Sequence, residues 1–119
     1  MKLEEIEDLF HKFEGVAAKL EGVECWSARD LQELLGYIKW ENFEKVIIKA
    51  KDACRIVGEQ IEYHFPDVKK MILMPKGAAK DIDDILLTRY ACYLTAQNED
   101  SRKEGISFAQ NYFAIQNKF

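Results

Sequence analysis

The chain has 119 residues, a length that suits one domain with a small hydrophobic core. Charged residues make up 32% of the sequence, and no apolar run approaches the roughly 20 residues that span a bilayer, which argues against a membrane protein. The net charge of −4 argues against a surface that is basic throughout, as in many dedicated DNA-binding domains.

The three cysteines are odd in number and widely spaced, at positions 25, 54 and 92. This pattern is typical of reduced thiols rather than of a disulfide framework, and it favours a cytoplasmic location. The acidic, amphipathic N-terminus is unlike a secretory signal, which supports the same location.

The N-terminal quarter begins with a helix and then becomes ambiguous. Apolar residues at helical spacing predict a helix over residues 3–13, and Gly15 and Gly22 punctuate the segment between this helix and Trp26. Residues 16–19 fit either a helix or a hairpin, whereas VECW at 23–26 predicts a short strand.

Two further helices have clear signals. Ser27 is placed to cap the first, Asp30 completes a capping-box pattern, and Gly36 is placed to end it. The second is predicted from Trp40 to about Gly58. Its inward face should comprise the apolar residues at i, i+3 and i+4 spacing, namely Phe43, Val46, Ile47, Ala50, Cys54 and Val57.

A β-hairpin is predicted in the middle of the chain. Pro66 and Pro75 bracket a first strand over residues 68–74, and the glycine turn in PKGAAK leads to a second strand over residues 81–88.

The C-terminal third should be helical. Thr88 can cap a helix that runs to about Gln97, and Ser101 with Glu104 forms a second capping box for a helix that reaches the end of the chain. That last helix has a wide apolar arc made of Ile106, Phe108, Ala109, Tyr112, Phe113, Ile115 and Phe119. Such an arc implies burial on more than one side. Either this is the central helix of the domain, or the chain continues and packs on it, in which case these residues are the N-terminal part of a longer protein.

No catalytic constellation is evident. The two histidines are far apart, and the sequence has no nucleophile elbow, zinc motif or glycine-rich phosphate loop. Asp81, Asp83 and Asp84 could hold a divalent metal, as in a nuclease, but Asp83 and Asp84 would point to opposite faces of a strand. We therefore expect a solvated acidic edge, with no metal, no cofactor and no enzymatic activity.

Two locally basic segments lie inside the acidic chain. Residues 37–58 and 69–89 each carry 5 basic and 3 acidic residues, a net of +2. Lys45 and Lys49 lie one turn apart outside the apolar stripe, where mobile cations can contact phosphates, and Trp40 could stack on a base. The alternative, which spacing alone favours, is a solvated helix face whose aromatic packs on the helix start.

Five motifs together resemble the N-terminal part of a known bacterial family. They are WSARDLQELLGY, KWENFEKVIIKA, HFPDVKKM, LTRYACYLTAQN and FAQNYFAIQ, in this order over nearly all of the chain. The family is that of the DNA-damage-inducible protein D, and RYACYLTAQN is its most specific motif. The layout is similar, more distantly, to the Bro N-terminal domain of phage antirepressors.

The resemblance implies a domain associated with DNA or with DNA-bound proteins, in a family linked to the SOS response and to modulation of the RecA recombinase. We expect residues 1–119 to form a single Bro-N-like domain of the α+β class, with a small antiparallel sheet packed against four to five helices. DNA contacts are predicted at Arg29, Lys39, Trp40, Lys45, Lys49, Lys76 and Arg89. Arg89 has a second interpretation, as the anchor of its helix through an internal ion pair.

A protein-interaction module is the alternative function. The acidic N-terminal region and the apolar C-terminal helix would then contact a RecA filament, or a second copy of the chain in a homodimer. The net negative charge favours this alternative, because acidic proteins are poorly steered towards bare DNA.

Overall fold

The computed structural model describes residues 2–115 of the chain. These residues form six α-helices and four β-strands: α1 (Leu3–Val16), β1 (Ala18–Leu20), β2 (Val23–Ser27), α2 (Ala28–Leu34), α3 (Trp40–Ile56), α4 (Ile61–His64), β3 (Asp67–Leu73), β4 (Ala79–Thr88), α5 (Arg89–Gln97) and α6 (Glu104–Ile115). The strands make one antiparallel sheet in the order β1–β2–β4–β3, which confirms the α+β class. None of the helices in the described range has the length and apolar character that a membrane crossing requires.

Both hairpins of the sheet turn on left-handed residues. Glu21 and Gly22, with φ of 51° and 82°, join β1 to β2 in a two-residue connection of the kind that suits the twist of a sheet. A 3₁₀ turn over Pro75–Gly77 joins β3 to β4, and it confirms the predicted hairpin. Of the two structures that the sequence allows for residues 16–19, the hairpin is the correct one, because β1 pairs with β2 directly after α1.

Local signals set the ends of the helices. The Ser27 hydroxyl accepts a hydrogen bond from the Asp30 N–H at 3.4 Å, and the Thr88 hydroxyl accepts one from the Ala91 N–H at 3.2 Å. Gly36, with φ of 81°, ends α2, and the neighbouring Tyr37 N–H closes the motif by donating to the Gln32 carbonyl at 2.9 Å. The predicted caps of α2 and α5 are confirmed.

An aromatic cluster joins α1, β2 and α6 at one end of the sheet. Trp26 is fully buried, its ring centroid lies 5.0 Å from that of Phe113, and its indole N–H donates to the Phe13 carbonyl at 2.9 Å. Phe13 in turn packs against Phe108 and Tyr112 with centroids 5.2 and 5.4 Å apart. Burial of these large rings is the dominant local contribution to stability.

Several sequence predictions need correction. Val57 is 61% exposed, because α3 ends at Ile56 before the apolar stripe does. Helix α6 begins at Glu104, so Ser101 is not its cap. The short helix α4 was not predicted and brings the number of helices above the four to five expected. The predicted end of the last helix, with Phe119, lies outside the described residues.

Candidate nucleic-acid interface

The lysines of α3 form an exposed pair. Lys45 and Lys49 are separated by one helical turn, and Lys39 lies just before the helix in an extended conformation. All three side chains are exposed, and none forms an ion pair with another residue in the range 2–115. Their charges are therefore available to a ligand.

Arg29 and Trp40 lie together on a different side of the molecule. The Arg29 guanidinium carbon is 3.8 Å from the centroid of the Trp40 ring, and its Nε and Nη2 donate to the Asp83 carbonyl at 3.1 and 2.9 Å. The cation covers one face of the ring, so that face is closed to a base. The half-buried ring also packs on Phe43 with centroids 6.3 Å apart, as the packing alternative predicted.

A groove of about 560 Å³ runs beside this stack. It is lined by Arg29, Trp40, Glu44, Asp67, Val68, Lys69, Asp83, Asp84 and Ile85, which include two cations and four carboxylates. Lys69 is bound to Asp83, and this contact raises the pKa of the lysine and lowers the pKa of the carboxyl. With four carboxylates against two cations the groove is negative in sum, which disfavours a phosphate beside Trp40.

The two sets of candidate residues on α3 face different ways. Trp40 and Glu44 line the acidic groove. Lys45 directly follows Glu44, and Lys49 directly follows Ile48, which lies one turn after Glu44 on the same side of α3. One residue in an α-helix corresponds to a rotation of about 100°, so the lysine pair faces away from the groove.

The acidic edge of β4 divides into one solvated and one buried carboxylate. The Asp83 side chain is 85% exposed, as predicted, but Asp84 is only 3% exposed. Asp84 accepts hydrogen bonds from the Ser27 hydroxyl, from the Arg29 N–H at 3.1 Å and from its neighbour Ile85 N–H at 2.8 Å. The expectation of a solvated edge is wrong for Asp84, because this carboxylate joins the hairpin to the start of α2.

Arg89 is placed in the interior. Its side chain is 12% exposed, and it donates to Glu24 at 2.9 Å and to the Tyr112 carbonyl at 3.2 Å. Its guanidinium carbon lies 4.9 Å from the ring centroids of both Trp26 and Tyr112. These contacts match the internal ion pair of the second interpretation, and they leave the guanidinium little freedom to reach a ligand.

The β3–β4 hairpin carries two cations that are free of ion pairs within the described range. Lys76 lies in the turn with φ of 75°, and Lys80 lies in β4 opposite Ile72. Both are exposed. Lys80 was not among the predicted contacts. Residues 80, 82 and 84 share one face of β4, and along this face the exposure increases from the buried Asp84 to the exposed Lys80 near the turn.

The seven predicted residues therefore form separate groups. Arg29 stacks on Trp40, Lys45 faces solvent beside Lys49, and the remaining three lie before α3, at the hairpin turn and in the interior. Within residues 2–115, no hydrogen bond or ion pair joins these groups to one another.

The cysteines do not contribute to this surface. Cys25, Cys54 and Cys92 are all buried and free, as the composition predicted. Burial raises the pKa of each thiol, most strongly that of Cys92. Neutral, enclosed thiols of this kind are poor nucleophiles.

Comparison with known proteins gives one informative similarity. No protein-family model matches the chain, and no solved structure matches it. The chain is 44% identical over 97 residues to the DNA damage-inducible protein D of Escherichia coli strain K12. The alignment covers 82% of this chain and 35% of the relative, so the chain spans about a third of the length of that protein. As the five motifs predicted, the chain belongs to the family of the DNA damage-inducible protein D.

Proposed function

We propose that this domain is a non-enzymatic, cytoplasmic module of a DNA-damage response protein, and that it associates with DNA through its exposed lysines. The name of the E. coli relative supports the damage-response role. The association with DNA and the absence of catalysis are inferences from the chemistry of the surface.

The carrying observation is the unequal pairing of the cations. Ion pairs within the described range occupy Lys12, Arg55, Lys69, Lys70, Arg89 and Arg102. The predicted contacts Lys39, Lys45, Lys49 and Lys76 are exposed and have no such pair. Phosphate contacts need mobile cations without fixed spacing, and these four meet that requirement.

The net charge of −4 is compatible with this proposal because of where the acids lie. Helix α1 contains five acidic residues and one basic residue, a net of −4 that equals the charge of the whole chain. The remainder of the chain is thus neutral overall. At physiological ionic strength charges are screened beyond about 8 Å, so the acids of α1 act mainly on their own neighbourhood.

The test is a salt titration of DNA binding by fluorescence anisotropy, with duplex and single-stranded oligonucleotides. The logarithm of the affinity should fall with the logarithm of salt concentration by about 0.9 for each duplex phosphate that a cation contacts. The Lys45→Gln/Lys49→Gln variant should therefore reduce the slope by about 1.8 on duplex DNA.

A matched control removes the same charge elsewhere. Lys12 and Arg102 are bound to Asp8 and Asp100 at 3.0 and 2.9 Å, so the Lys12→Gln/Arg102→Gln variant should keep the wild-type slope. Absence of binding at low salt would refute the association with DNA. An unchanged slope in Lys45→Gln/Lys49→Gln would show that α3 is not the contact surface.

A second candidate function, protein interaction, is favoured by a groove between α1 and α6. Its volume is about 600 Å³, and it is lined by Ile6, Glu7, Phe10, His11, Ser107, Phe108, Asn111, Tyr112 and Ile115. Ile6, Phe10 and Ile115 are 39%, 43% and 77% exposed. Contiguous exposed apolar side chains of this kind are typical of interaction sites.

Under this second function the groove would contact a RecA filament or a second copy of the chain. Gel-filtration mass, and binding to RecA filaments on DNA, should then change in an Ile6→Asn variant. Ile56→Asn, at an 82% exposed position on α3, is the control. Equal behaviour of the two variants would argue against the groove as a contact.

A further inference from the structure

Most of the β3–β4 hairpin extends beyond the rest of the sheet. The neighbouring strand β2 pairs with β4 only over residues 86–88, whereas β3 pairs with β4 from Asp67↔Ile85 out to Leu73↔Ala79. We call residues 69–83 the arm, because they lie beyond the part of β4 that pairs with β2. Five residue pairs and a turn give the arm a length of roughly 15–20 Å.

Within residues 2–115, the polar contacts between the arm and the body lie at the base of the arm. There Lys70 Nζ donates to Asp30 at 2.8 Å, and Arg29 donates to the Asp83 carbonyl. In the described part of the chain, no hydrogen bond or ion pair joins residues 71–81 to any residue outside that segment, and all of them except Ile72 are exposed. Two-stranded ribbons exposed on both faces are marginally stable alone, so this extension needs a reason beyond the core.

The outer half of the arm combines positive charge with exposed apolar side chains. From residue 71 to residue 81 it carries two lysines, Lys76 and Lys80, and one acid, Asp81, which pairs with Met71 at the end nearer the body. Met71, Leu73 and Met74 are 68%, 80% and 38% exposed. The paired Lys69 and Lys70 lie at the base, so the free cations are concentrated at the tip.

The backbone of the turn keeps one cation at the tip at a cost. Lys76 has φ of 75°, a conformation that glycine adopts without strain and other residues rarely adopt.

These features match a known way of gripping duplex DNA. Two-stranded β-ribbons fit the grooves of the double helix, and apolar wedges such as Leu, Met and Pro insert between base steps from the minor groove and bend the duplex. We propose that the arm enters the minor groove of duplex DNA, with Leu73 and Met74 as the wedge and Lys76 and Lys80 on the flanking phosphates. The proposal rests on the association with DNA and adds a bend to it.

Pairing of β3 with a second copy of the chain is the main rival. As an edge strand, β3 has one unpaired side, which can template another strand. Its charged residues Asp67, Lys69 and Lys70 protect that edge, and the concentration of lysines at the tip favours an anionic partner over an identical chain.

The experiment measures DNA bending by energy transfer between dyes at the two ends of a short duplex saturated with the 119-residue chain. Wild-type protein should raise the transfer efficiency, since wedging bends DNA by roughly 20–90°. The Leu73→Ser/Met74→Ser variant should still bind, but the energy-transfer efficiency of its complex should equal that of free duplex. The Lys76→Gln/Lys80→Gln variant should reduce the slope of log affinity against log salt concentration by about 1.8. The control is Ile56→Ser, an equally exposed apolar position on α3, which should bend DNA as wild type does.

Each result decides between the two proposals. Binding without bending by wild type, or equal bending by Leu73→Ser/Met74→Ser, overturns the arm proposal and leaves the association with DNA intact. No duplex binding at low salt overturns both. If the substitutions at positions 73 and 74 change only the sedimentation mass and not the DNA complex, the arm pairs with another copy. The single variants Leu73→Ser and Pro75→Ala, which change the turn less, should also reduce the DNA bending measured by energy transfer.

Discussion

Arg89 and Lys76 show two opposite ways of holding a cation. The Arg89 side chain is 12% exposed, bound to Glu24 and enclosed by the rings of Trp26 and Tyr112. Lys76 lies at the tip of the arm, exposed and without an ion pair in residues 2–115. The sequence contains both as basic residues in the same +2 segment, yet only one charge is available to a ligand. A count of cations is therefore a poor guide to a binding surface unless their partners are known.

The largest effect should come from removing the interior cation. Arg89→Ala removes the hydrogen bonds to Glu24 and to the Tyr112 carbonyl and opens the aromatic cluster, and it should lower the free energy of unfolding by about 3 kcal/mol. Denaturant unfolding followed by tryptophan fluorescence measures this loss. Arg89→Lys, which keeps the charge but not the forked geometry, should fall between the two proteins. An unchanged unfolding midpoint in Arg89→Ala would contradict an anchoring role.

The junction between the arm and the body gives the next effect. Asp84→Ala leaves the Ser27 hydroxyl and two backbone N–H groups without an acceptor, so it should cost about 2 kcal/mol. Asp83→Ala, at the adjacent exposed position, should leave the stability nearly unchanged. The same unfolding measurement compares the two neighbours. Equal losses of stability in the two variants would contradict the assignment of Asp83 as a solvated carboxylate and of Asp84 as a buried, hydrogen-bonded one.

Tyr112 should make the interior sensitive to alkaline pH. Burial and a hydrogen bond to Glu14 raise the pKa of Tyr112 from 10.0 to about 12. The folded state therefore retains the phenolic proton more tightly than the unfolded state. The associated stability is complete below about pH 10 and is lost as the pH rises towards 12. Tyr112→Phe should show a shallower loss of stability over this window, and identical pH profiles of the two proteins would refute the assignment.

The smallest effect should separate stability from binding in the arm. Lys76→Gly relieves the left-handed conformation, partly offset by the greater freedom of glycine in the unfolded chain, and should raise the stability by about 0.5 kcal/mol. The same change removes a cation and should weaken DNA binding. Glu21→Gly, at the corresponding position of the other hairpin, is the control and should raise the stability without weakening binding. Loss of stability in Lys76→Gly would show that the lysine side chain supports the turn.

Features whose partners are close in sequence were predictable. Ser27 and Thr88 each cap a helix through an N–H three residues further on, and Gly36 supplies the left-handed residue that ends α2. Such contacts are set by a few adjacent residues, so composition and order are sufficient to find them. The β3–β4 hairpin could be predicted for the same reason, because its bracketing prolines and its glycine turn are adjacent to the strands.

Features whose partners are distant in sequence were not predictable in the same way. Arg89 and Glu24 are 65 positions apart, and Asp84 and Ser27 are 57 positions apart. No local pattern indicates that these residues meet. The sequence therefore predicts Arg89 as a DNA contact, with the internal pair as a second interpretation, and Asp84 as a solvated acid. The same limitation applies to Trp40, because the cation that covers its ring comes from α2.

The enclosed sulfur atoms have a practical consequence. All three native thiols are at most 4% exposed and have raised pKa values, so maleimide reagents should reach them only when the fold opens. A Lys80→Cys substitution would then create one fast-reacting handle near the tip of the arm. A fluorophore could be attached there without deleting any natural cysteine. The slow reaction of the three buried cysteines would in addition report the rate at which the fold opens.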